Sequence, residues 1–588
     1  MITKRRVNLV ISREQARAEA ETELKECGCT LNSDGVWEFS INLGAYGKMP
    51  AKAVLPLRFP DELPEILIER SKLARRIPHV ERSGKICLAP NTGILLDATA
   101  PRQLIRDALS RAQRILIDGL SGKNSDDLLE EFSAYWNSGV SSSIISICDP
   151  SGDSRIVRLM EMIVPGEPKR TTTLAADDCE QAERWSARAG WKINKRDTAF
   201  LVRIETAFEP PDFGESIPTR DLLELILQSA VPEANELMQR WLRSRSLPAY
   251  ILLAIPLLKD QGSVVIAARL EEAVGDAKKR AQKGFRPNRL PASIETRFTR
   301  KSPVSRIQVR RLDTGYLLRR GGATKDLFAR TVTVVGCGAI GSNVAKNLAS
   351  LGIGRIRIVD PDVLTSENIH RHVLGVSFLD QKKVEGMRLF LNKHFPHICV
   401  EDKADDIRTV LDKDQVFVTE SDLVIVALGD ETLELYLNDL LDQRMPRIHA
   451  WVEPLGIGGH VLGTGLGSQE GCFRCLFDKD EVLGIHNQAA FAAPGQSFQP
   501  SFAGCAGTFT PFGSLDAERT ANEAARLASR ILLKRQTSNL LISWRGDDDD
   551  FSAAGFELSA RGKMSKPGDY KIETSFIRSE CLSCGPSL

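Results

Sequence analysis

Thr331–Val335 is a short run of apolar, β-branched residues, and Gly336-Cys337-Gly338-Ala339-Ile340-Gly341 follows it without a break. The run reads as a strand buried in a parallel sheet. From Ser342 to Leu351 apolar residues return at helical spacing, and a second strand, Arg355–Val359, ends in Asp360. Few folds accept that order. Strand, glycine-rich turn and helix present backbone N–H groups and a helix N-terminus to a phosphate. The acid lies about 20 residues past the glycines, where a carboxylate meets a ribose hydroxyl. Glycines alone could merely pack a βα corner; the acid-ended second strand favours a nucleotide.

The residues after Asp360 bear on which nucleotide. Asp362, Asn368 and Arg371 follow within a dozen positions, and Lys383 comes next on a stretch that reads as a helix. A dinucleotide dehydrogenase needs no such cations, whereas an enzyme that splits a triphosphate does, because charge develops on the departing phosphates. Asp422–Asp430 is another buried strand ending in an acid, suited to holding Mg²⁺. This run resembles the ThiF/MoeB and ubiquitin-activating (E1) adenylation domain, from the strand at Thr331 to the C-terminus. The resemblance implies that Gly336, Gly338, Gly341, Asp360, Asp362, Asn368, Arg371, Lys383 and Asp430 bind ATP and magnesium. Arg371, Lys383 and Asp430 would also serve catalysis. The family's usual asparagine and downstream arginine after the last acid are absent from Glu431–Tyr436.

At 588 residues the chain exceeds one core, and length alone predicts roughly three or four domains. Its composition, 42% hydrophobic and 26% charged, is that of an ordinary globular protein, and a formal net charge of +1 argues against a partner bound through bulk charge, such as nucleic acid. Met1–Ile11 is basic without an apolar h-region, so no signal peptide is expected. The longest apolar stretch, Tyr250–Leu258, is broken by Pro256 and too short for a bilayer. Twelve cysteines in that context point to a reducing, cytoplasmic setting and to metal binding or chemistry rather than disulfides.

Near the N-terminus Ser12 and Gln15 form a capping-box pair opening a helix toward Cys27. Val36–Leu43 and Ala51–Phe59 alternate as strands, and another is expected after Pro60. An extended stretch from Ile77 reaches Cys87 past a glycine turn, and Thr99-Ala100-Pro101 opens a helix carrying Leu104, Ile105, Ala108, Leu109, Ala112, Ile115 and Leu116. Helix, meander, proline-rich corner, cysteine and helix resemble the ubiquitin-conjugating (E2) fold, through Phe59-Pro60, Leu63-Pro64, Pro78-His79-Val80, Gly84 and Ile86-Cys87-Leu88. That resemblance implies a thioester on Cys87. His79 stands where the family commonly has an asparagine credited with oxyanion stabilisation, a bond an imidazole N–H could also donate. Taken alone, Cys87 would read as a buried, inert thiol.

Between the two, Asp221–Ala230 and Glu233–Arg243 read as helices and Tyr250–Leu257 as a strand or helix, giving a small α/β insert. Lys278–Arg330, rich in basic residues, reads as a solvated connector. By resemblance to dimeric bacterial adenylation domains, Arg311, Arg319 or Arg320 could reach a neighbour's ATP, without a single choice among them.

Cys472-Phe473-Arg474-Cys475 and Cys581-Leu582-Ser583-Cys584 are two C-x-x-C knuckles that together satisfy tetrahedral zinc. Two redox dithiols are the alternative. Cys505 stands between glycines ahead of a long helix, Asp516–Lys534, where a dipole favours thiolate, and the family places a thioester-forming or sulfur-transferring cysteine there. Packing in a small-residue turn is the alternative. Asp547–Asp550 reads as a solvated acidic loop, and Cys27, Cys29, Cys148, Cys179, Cys337 and Cys399 carry no catalytic pattern.

The expected architecture is α/β and multidomain: a ubiquitin-conjugating-like α+β domain at 1–150, an α/β linker domain at 151–305, and a Rossmann-like adenylation domain with a zinc site at 306–588. Its order resembles the activating–conjugating fusions of bacterial CBASS antiphage operons. That resemblance implies ATP, Mg²⁺ and Zn²⁺ as cofactors, a homodimer, an amine-bearing acceptor, and a donor protein with a free C-terminal carboxylate. The donor would be a cGAS/DncV-like nucleotidyltransferase or a ubiquitin-like protein; neither nucleic acid nor membrane is an expected partner. A NAD-dependent oxidoreductase and a nucleotide-binding scaffold are the competing classes.

Overall fold

The structure is a computed structural model that describes residues 11–73, 75–88, 96–166, 168–212, 214–257, 262–285, 290–467, 471–482, 484–498 and 511–585. Two compact units result. One holds Met1–Glu161, Thr172–Asp178 and Lys195–Arg311; the other holds Met162–Thr171, Cys179–Asn194 and Leu312–Leu588.

The first unit opens with helix α1 (Arg13–Glu26), whose N-terminus carries the expected capping box between Ser12 and Gln15. Strands β1 (Thr30–Leu31), β2 (Trp37–Asn42), β3 (Lys48–Val54) and β4 (Glu65–Ile68) form an antiparallel meander in chain order. The third strand ends earlier than the sequence pattern predicts: Pro56–Phe59 turn away from the sheet. Helix α2 (Pro101–Ser121) buries Leu104, Ile105, Ala108, Ala112 and Leu116, one face at helical spacing, against the meander. Glu23 of α1 is buried and takes a two-pronged grip from Arg106 of α2 (2.6 and 2.9 Å), which fixes how the helices meet.

The middle of the chain differs most from its sequence reading. Strands β5 (Ser143–Ser146), β6 (Arg155–Val164), β7 (Arg170–Ala176), β8 (Lys192–Arg203), β9 (Ala249–Pro256), β10 (Ser263–Leu270) and β11 (Ser305–Arg311) close a barrel in the order β10-β11-β5-β7-β6-β8-β9. Lys278–Arg330 is therefore not a connector. It supplies β11, which pairs with β10 on one side and β5 on the other, and the helices Ala292–Phe298 and Thr314–Arg320. Arg311 belongs to that strand and donates to the Ser263 carbonyl. Arg306, Gln308 and Arg310 share one face of β11 while Ile307 and Val309 pack on the other, so a strand of alternating polarity passes for a charged loop.

The second unit is built on an eight-stranded sheet. Strands β12 (Thr331–Val335), β13 (Arg355–Val359), β14 (Cys399–Lys403), β15 (Leu423–Val426), β16 (Arg447–Val452) and β17 (Gly458–Thr464) come first, then a separate hairpin of β18 (Phe477–Asp480) and β19 (Gly484–Asn487), then β20 (Leu540–Arg545) and β21 (Tyr570–Glu573). The sheet order is β14-β13-β12-β15-β16-β17-β20-β21, parallel from β14 to β16 and antiparallel beyond. Helices α3 (Ala339–Ser350), α4 (Lys383–His394), α5 (Glu431–Leu440) and α6 (Ser514–Leu532) cover it. The order changes direction beside β12, so the loops after β12 and β15 diverge there and open a crevice at the carboxyl ends of the strands. Among the described residues no helix is long and apolar enough to cross a membrane.

Candidate functional site

The glycine loop sits at that crevice. Gly336 has φ +91°, and a Cβ there would lie 2.4 Å from the Ala427 carbonyl at the end of β15. A Cβ at Gly341 would lie 1.9 Å from the Gly336 carbonyl. Both positions need glycine for close backbone packing. Gly338 differs, because its missing Cβ would meet nothing within 4 Å. That open side is the space a phosphate would take over the N-terminus of α3.

Asp360 ends β13 and is buried. One carboxylate oxygen accepts the Cys337 N–H (2.6 Å) and the other the Asp362 N–H (2.8 Å), so the acid anchors the glycine loop to the end of β13. Lys383 is buried at the start of α4 and donates to Asp362 at 2.7 Å. Asn368 donates to Thr365 Oγ1 (2.7 Å), and the Asn368 carbonyl accepts the Arg371 N–H (3.0 Å). The Arg371 guanidinium lies over the Phe512 ring (4.6 Å to its centroid), and partial burial lowers its pKa. Asp430 is exposed at the end of the segment after β15 and caps α5, accepting the Leu433 N–H at 3.1 Å. Its other oxygen can take a divalent cation.

Sequence reasoning passed over several residues of this site. His372, next to Arg371, is buried; its Nδ1 accepts the Leu374 N–H (3.0 Å), so Nε2 carries the proton and donates to the Cys337 carbonyl (2.7 Å). Burial lowers its pKa to about 4, and the ring stays neutral while it holds the loop. Glu434 and His449 form a second buried pair, Nδ1 to Oε2 at 3.2 Å. Burial pushes Glu434 up to about 8 and His449 down to about 3, so both are neutral near pH 7. Only Glu434's spacing from Asp430, one helical turn, could have drawn attention to it.

The four knuckle cysteines do converge. The sulfurs of Cys472, Cys475, Cys581 and Cys584 all lie within 4.8 Å of one another, with Cys472 to Cys581 at 3.7 Å and Cys475 to Cys584 at 3.4 Å. A tetrahedral zinc with bonds of about 2.3 Å needs sulfurs just under about 4 Å apart, so this donor set fits the ion. Asn438 of α5 braces the knuckle, accepting the Phe473 N–H (3.2 Å) and donating to Cys472 Sγ (3.5 Å). Arg474 reaches Asp439 on the same helix, and Ser583 reaches it too.

In the first unit Cys87 is exposed between buried Ile86 and Leu88, so it is not a buried thiol. The stretch before it lies along β4: Ile68 N–H donates to Gly84 O (2.9 Å) and Ile86 N–H to Ile66 O (2.8 Å). Gly84 has φ +84°, and a Cβ there would strike the Ile68 carbonyl at 1.9 Å. The thiol borders a cleft of about 680 Å³ walled by Pro60, Leu63, Pro64, Lys85 and Ala98. His79 does not present a ring N–H to the thiol. Its Nδ1 faces Glu131 (2.8 Å) and its Nε2 faces Asp127 (3.0 Å), so both ring nitrogens are engaged by carboxylates. It serves through its backbone instead: at φ +61° its carbonyl accepts the Cys87 N–H (2.8 Å). Cys505 lies outside the described residues; the loop resumes at Pro511, whose carbonyl accepts the Leu455 N–H (2.6 Å).

Comparison with known proteins follows this division. The ThiF family matches residues 315–537, and the Prokaryotic E2 family B matches residues 20–144. The chain is an E1–E2 fusion. The fusion is 24% identical over 455 residues to the ATP-dependent ubiquitin transferase-like protein Cap2 of Pseudomonas aeruginosa, covering 75% of this chain and 77% of that one. A Cap2 of Enterobacter hormaechei is 29% identical over 27% of each chain. The adenylyltransferase and sulfurtransferase UBA4 of Candida albicans is 34% identical over 25% of this chain and 33% of its own. A crystal structure of E. coli MccB with succinimide aligns at a TM-score of 0.33 and 19% identity, over 46% of this chain and 70% of that one. The glycine loop thus lies in a ThiF domain rather than in a dinucleotide dehydrogenase, and the fusion is an adenylating and conjugating enzyme of the ubiquitin-like type.

Proposed function

We propose that the fusion activates the C-terminal carboxylate of a donor protein with ATP and passes it, through two thioesters, to an amine. The observation that carries this reading is the exposed Cys87 beside its cleft, in a chain that also carries a ThiF-family domain with a glycine loop open at Gly338. The frame is the division 1–150, 151–305 and 306–588, with a homodimer as the working assembly.

The backbone N–H groups at Gly338 and Gly341 bind the nucleotide's phosphates, Gly336, whose own N–H goes to the Val359 carbonyl (2.8 Å), shapes the loop beneath them, Asp360 binds the ribose, and Asp362 and Asn368 line the approach. A donor carboxylate oxygen attacks the α-phosphorus, the bond to the β-phosphate oxygen breaks, and pyrophosphate leaves with charge that Arg371 and Lys383 compensate. For that to happen Lys383 turns from Asp362 toward the phosphates. Mg²⁺, held by Asp430, would supply further charge neutralisation on the triphosphate. The Cys505 thiolate then attacks the acyl carbon and AMP departs. Transthioesterification moves the acyl group to Cys87, and an amine, taken to be a lysine, displaces that thiolate to leave an amide. Two thiols in one molecule gain from effective concentration. Zinc at Cys472, Cys475, Cys581 and Cys584 would tie the C-terminal segment to α5 and contribute to folding.

As donor we favour a cGAS/DncV-like nucleotidyltransferase, the donor that the resemblance to the activating–conjugating fusions of CBASS operons implies. A ubiquitin-like protein is the second reading, favoured by the description of the Cap2 relatives as ubiquitin transferase-like. Incubating the fusion with ATP and each candidate donor, then resolving it without reductant, tests the proposal. A reductant-sensitive adduct with one donor supports it; tight NAD binding with no ATP binding would sink it.

A further inference from the structure

Asp430 depends on a turn that no motif marks. After β15, the Ala427 N–H donates to Val335 O (2.8 Å), and the Ala427 carbonyl lies against Gly336, so this segment is the floor of the glycine loop. The chain then reverses through Gly429, at φ +69°, to reach Asp430. Two successive amides, Leu428 N–H and Gly429 N–H, converge on a single oxygen, Glu434 Oε1, each at 3.2 Å. The other oxygen faces His449 Nδ1 at 3.2 Å. His449 is itself clamped, fully buried and stacked on Phe473 with ring centroids 4.2 Å apart and planes 5° from parallel. A side chain that satisfies two consecutive backbone donors sets the course of the turn, because those donors have no sheet partner to direct them.

We propose that Glu434 is a positioning residue of the adenylation site: its carboxyl group, braced by His449, holds the Leu428–Gly429 turn so that Asp430 and the glycine loop keep the spacing that a triphosphate with its divalent cation requires. The proposal rests on the adenylation reading. Glu434 touches neither nucleotide nor metal; it acts through the turn, and a displaced turn moves Asp430 without removing any ligand.

The test uses the full chain, with MgATP and AMP as probes and calorimetry as the readout, at several Mg²⁺ concentrations. Glu434→Gln keeps an acceptor for both amides and offers an N–H to His449 Nδ1, and its MgATP affinity should stay within about twofold of the parent. Glu434→Leu keeps the bulk and loses the acceptor, and should weaken MgATP about tenfold and raise the Mg²⁺ concentration needed for half-saturation, with AMP affinity unchanged. Glu434→Asp, which draws the carboxyl group back by one methylene, should behave like Leu and covers the case in which the Leu variant does not fold. MgATP binding by Leu and Asp variants equal to the parent overturns the proposal. So does a Gln variant as weak as Leu, or an equal loss of AMP and MgATP, which would mean general damage. A parent chain that binds no ATP would instead overturn the adenylation reading, and this proposal with it.

Discussion

Around the glycine loop, the residues that meet are drawn from successive strand ends, Gly336 to Gly341 after β12, Asp360 and Asp362 after β13, Asp430 after β15. Around Cys87 they come from an extended stretch laid on the edge of β4, with His79 secured by Asp127 and Glu131 from helical turns that follow α2. The first site is dictated by sheet topology, since the crevice exists wherever the strand order turns and the loops only decorate it. The second depends on one edge-strand register, Gly84 against Ile68, and on a charged clamp behind the thiol. Damage to either should therefore differ in kind: the nucleotide site should fail ligand by ligand, the thiol site by loss of register or of its nucleophile.

The strongest way to break the comparison is at the nucleophiles. Cys87→Ala should abolish the final conjugate while ATP–pyrophosphate exchange continues at the parental rate, and should leave a reductant-sensitive adduct on Cys505. Cys505→Ala should stop charging of Cys87 but not exchange. Charging of Cys87 at the parental rate in the Cys505 variant would mean that Cys87 attacks the adenylate directly, and the relay would be discarded.

Next come the charges. Asp430→Ala and Arg371→Ala should each slow pyrophosphate exchange by at least about a hundredfold, the order of loss for one group stabilising a transition-state charge. Alkylation of Cys87 by iodoacetamide should be unaltered in both. Exchange within threefold of the parent in either variant would remove that residue from the chemistry.

A smaller effect, on stability, is expected at the knuckles. About one zinc per chain should copurify, and Cys581→Ser should release it and lower the unfolding midpoint of the ThiF domain, by roughly 2–4 °C for each kcal/mol lost. Active, folded protein without zinc by elemental analysis would refute the site.

Legibility followed the same division as the two sites. Strands β12, β13 and β15, the loop glycines and the acids at their ends were open to reading, because a buried parallel strand is a continuous apolar run and its loop must carry the chemistry. The paired knuckles were legible for a similar reason: ligand type and spacing are local. What escaped were contacts made across long sequence separations. Asn438 against Cys472 and His449 against Glu434 are joined by side chains whose partners no periodicity reveals. Arg447 and Arg545 show the same limit: both are fully buried, and composition would place them at the surface. The barrel was missed because its strands mix parallel and antiparallel neighbours, and β11 alternates polar Arg306, Gln308 and Arg310 with apolar Ile307 and Val309.

The finest test concerns the clamp behind Cys87. Glu131 foremost, then Asp127, raises the His79 pKa from 6.5 to about 9, partly against the cost of burial, so the ring is an imidazolium in the folded state. Below pH 6.5 the histidine is protonated whether the chain is folded or not, and the clamp's full contribution is present. Between pH 6.5 and about 9 the unfolded chain releases its proton while the folded one keeps it, so this contribution declines, and above about 9 it is gone. Urea midpoints for the first unit should therefore fall across that window in the parent chain. In His79→Gln the fall attributable to the clamp should vanish, while the variant starts less stable at pH 6. The same variant keeps a backbone carbonyl for the Cys87 N–H, so thioester formation at pH 7 should drop only severalfold. A catalytic imidazole would behave otherwise: activity would collapse in His79→Gln with no change in the pH dependence of stability, and the clamp would have to be abandoned.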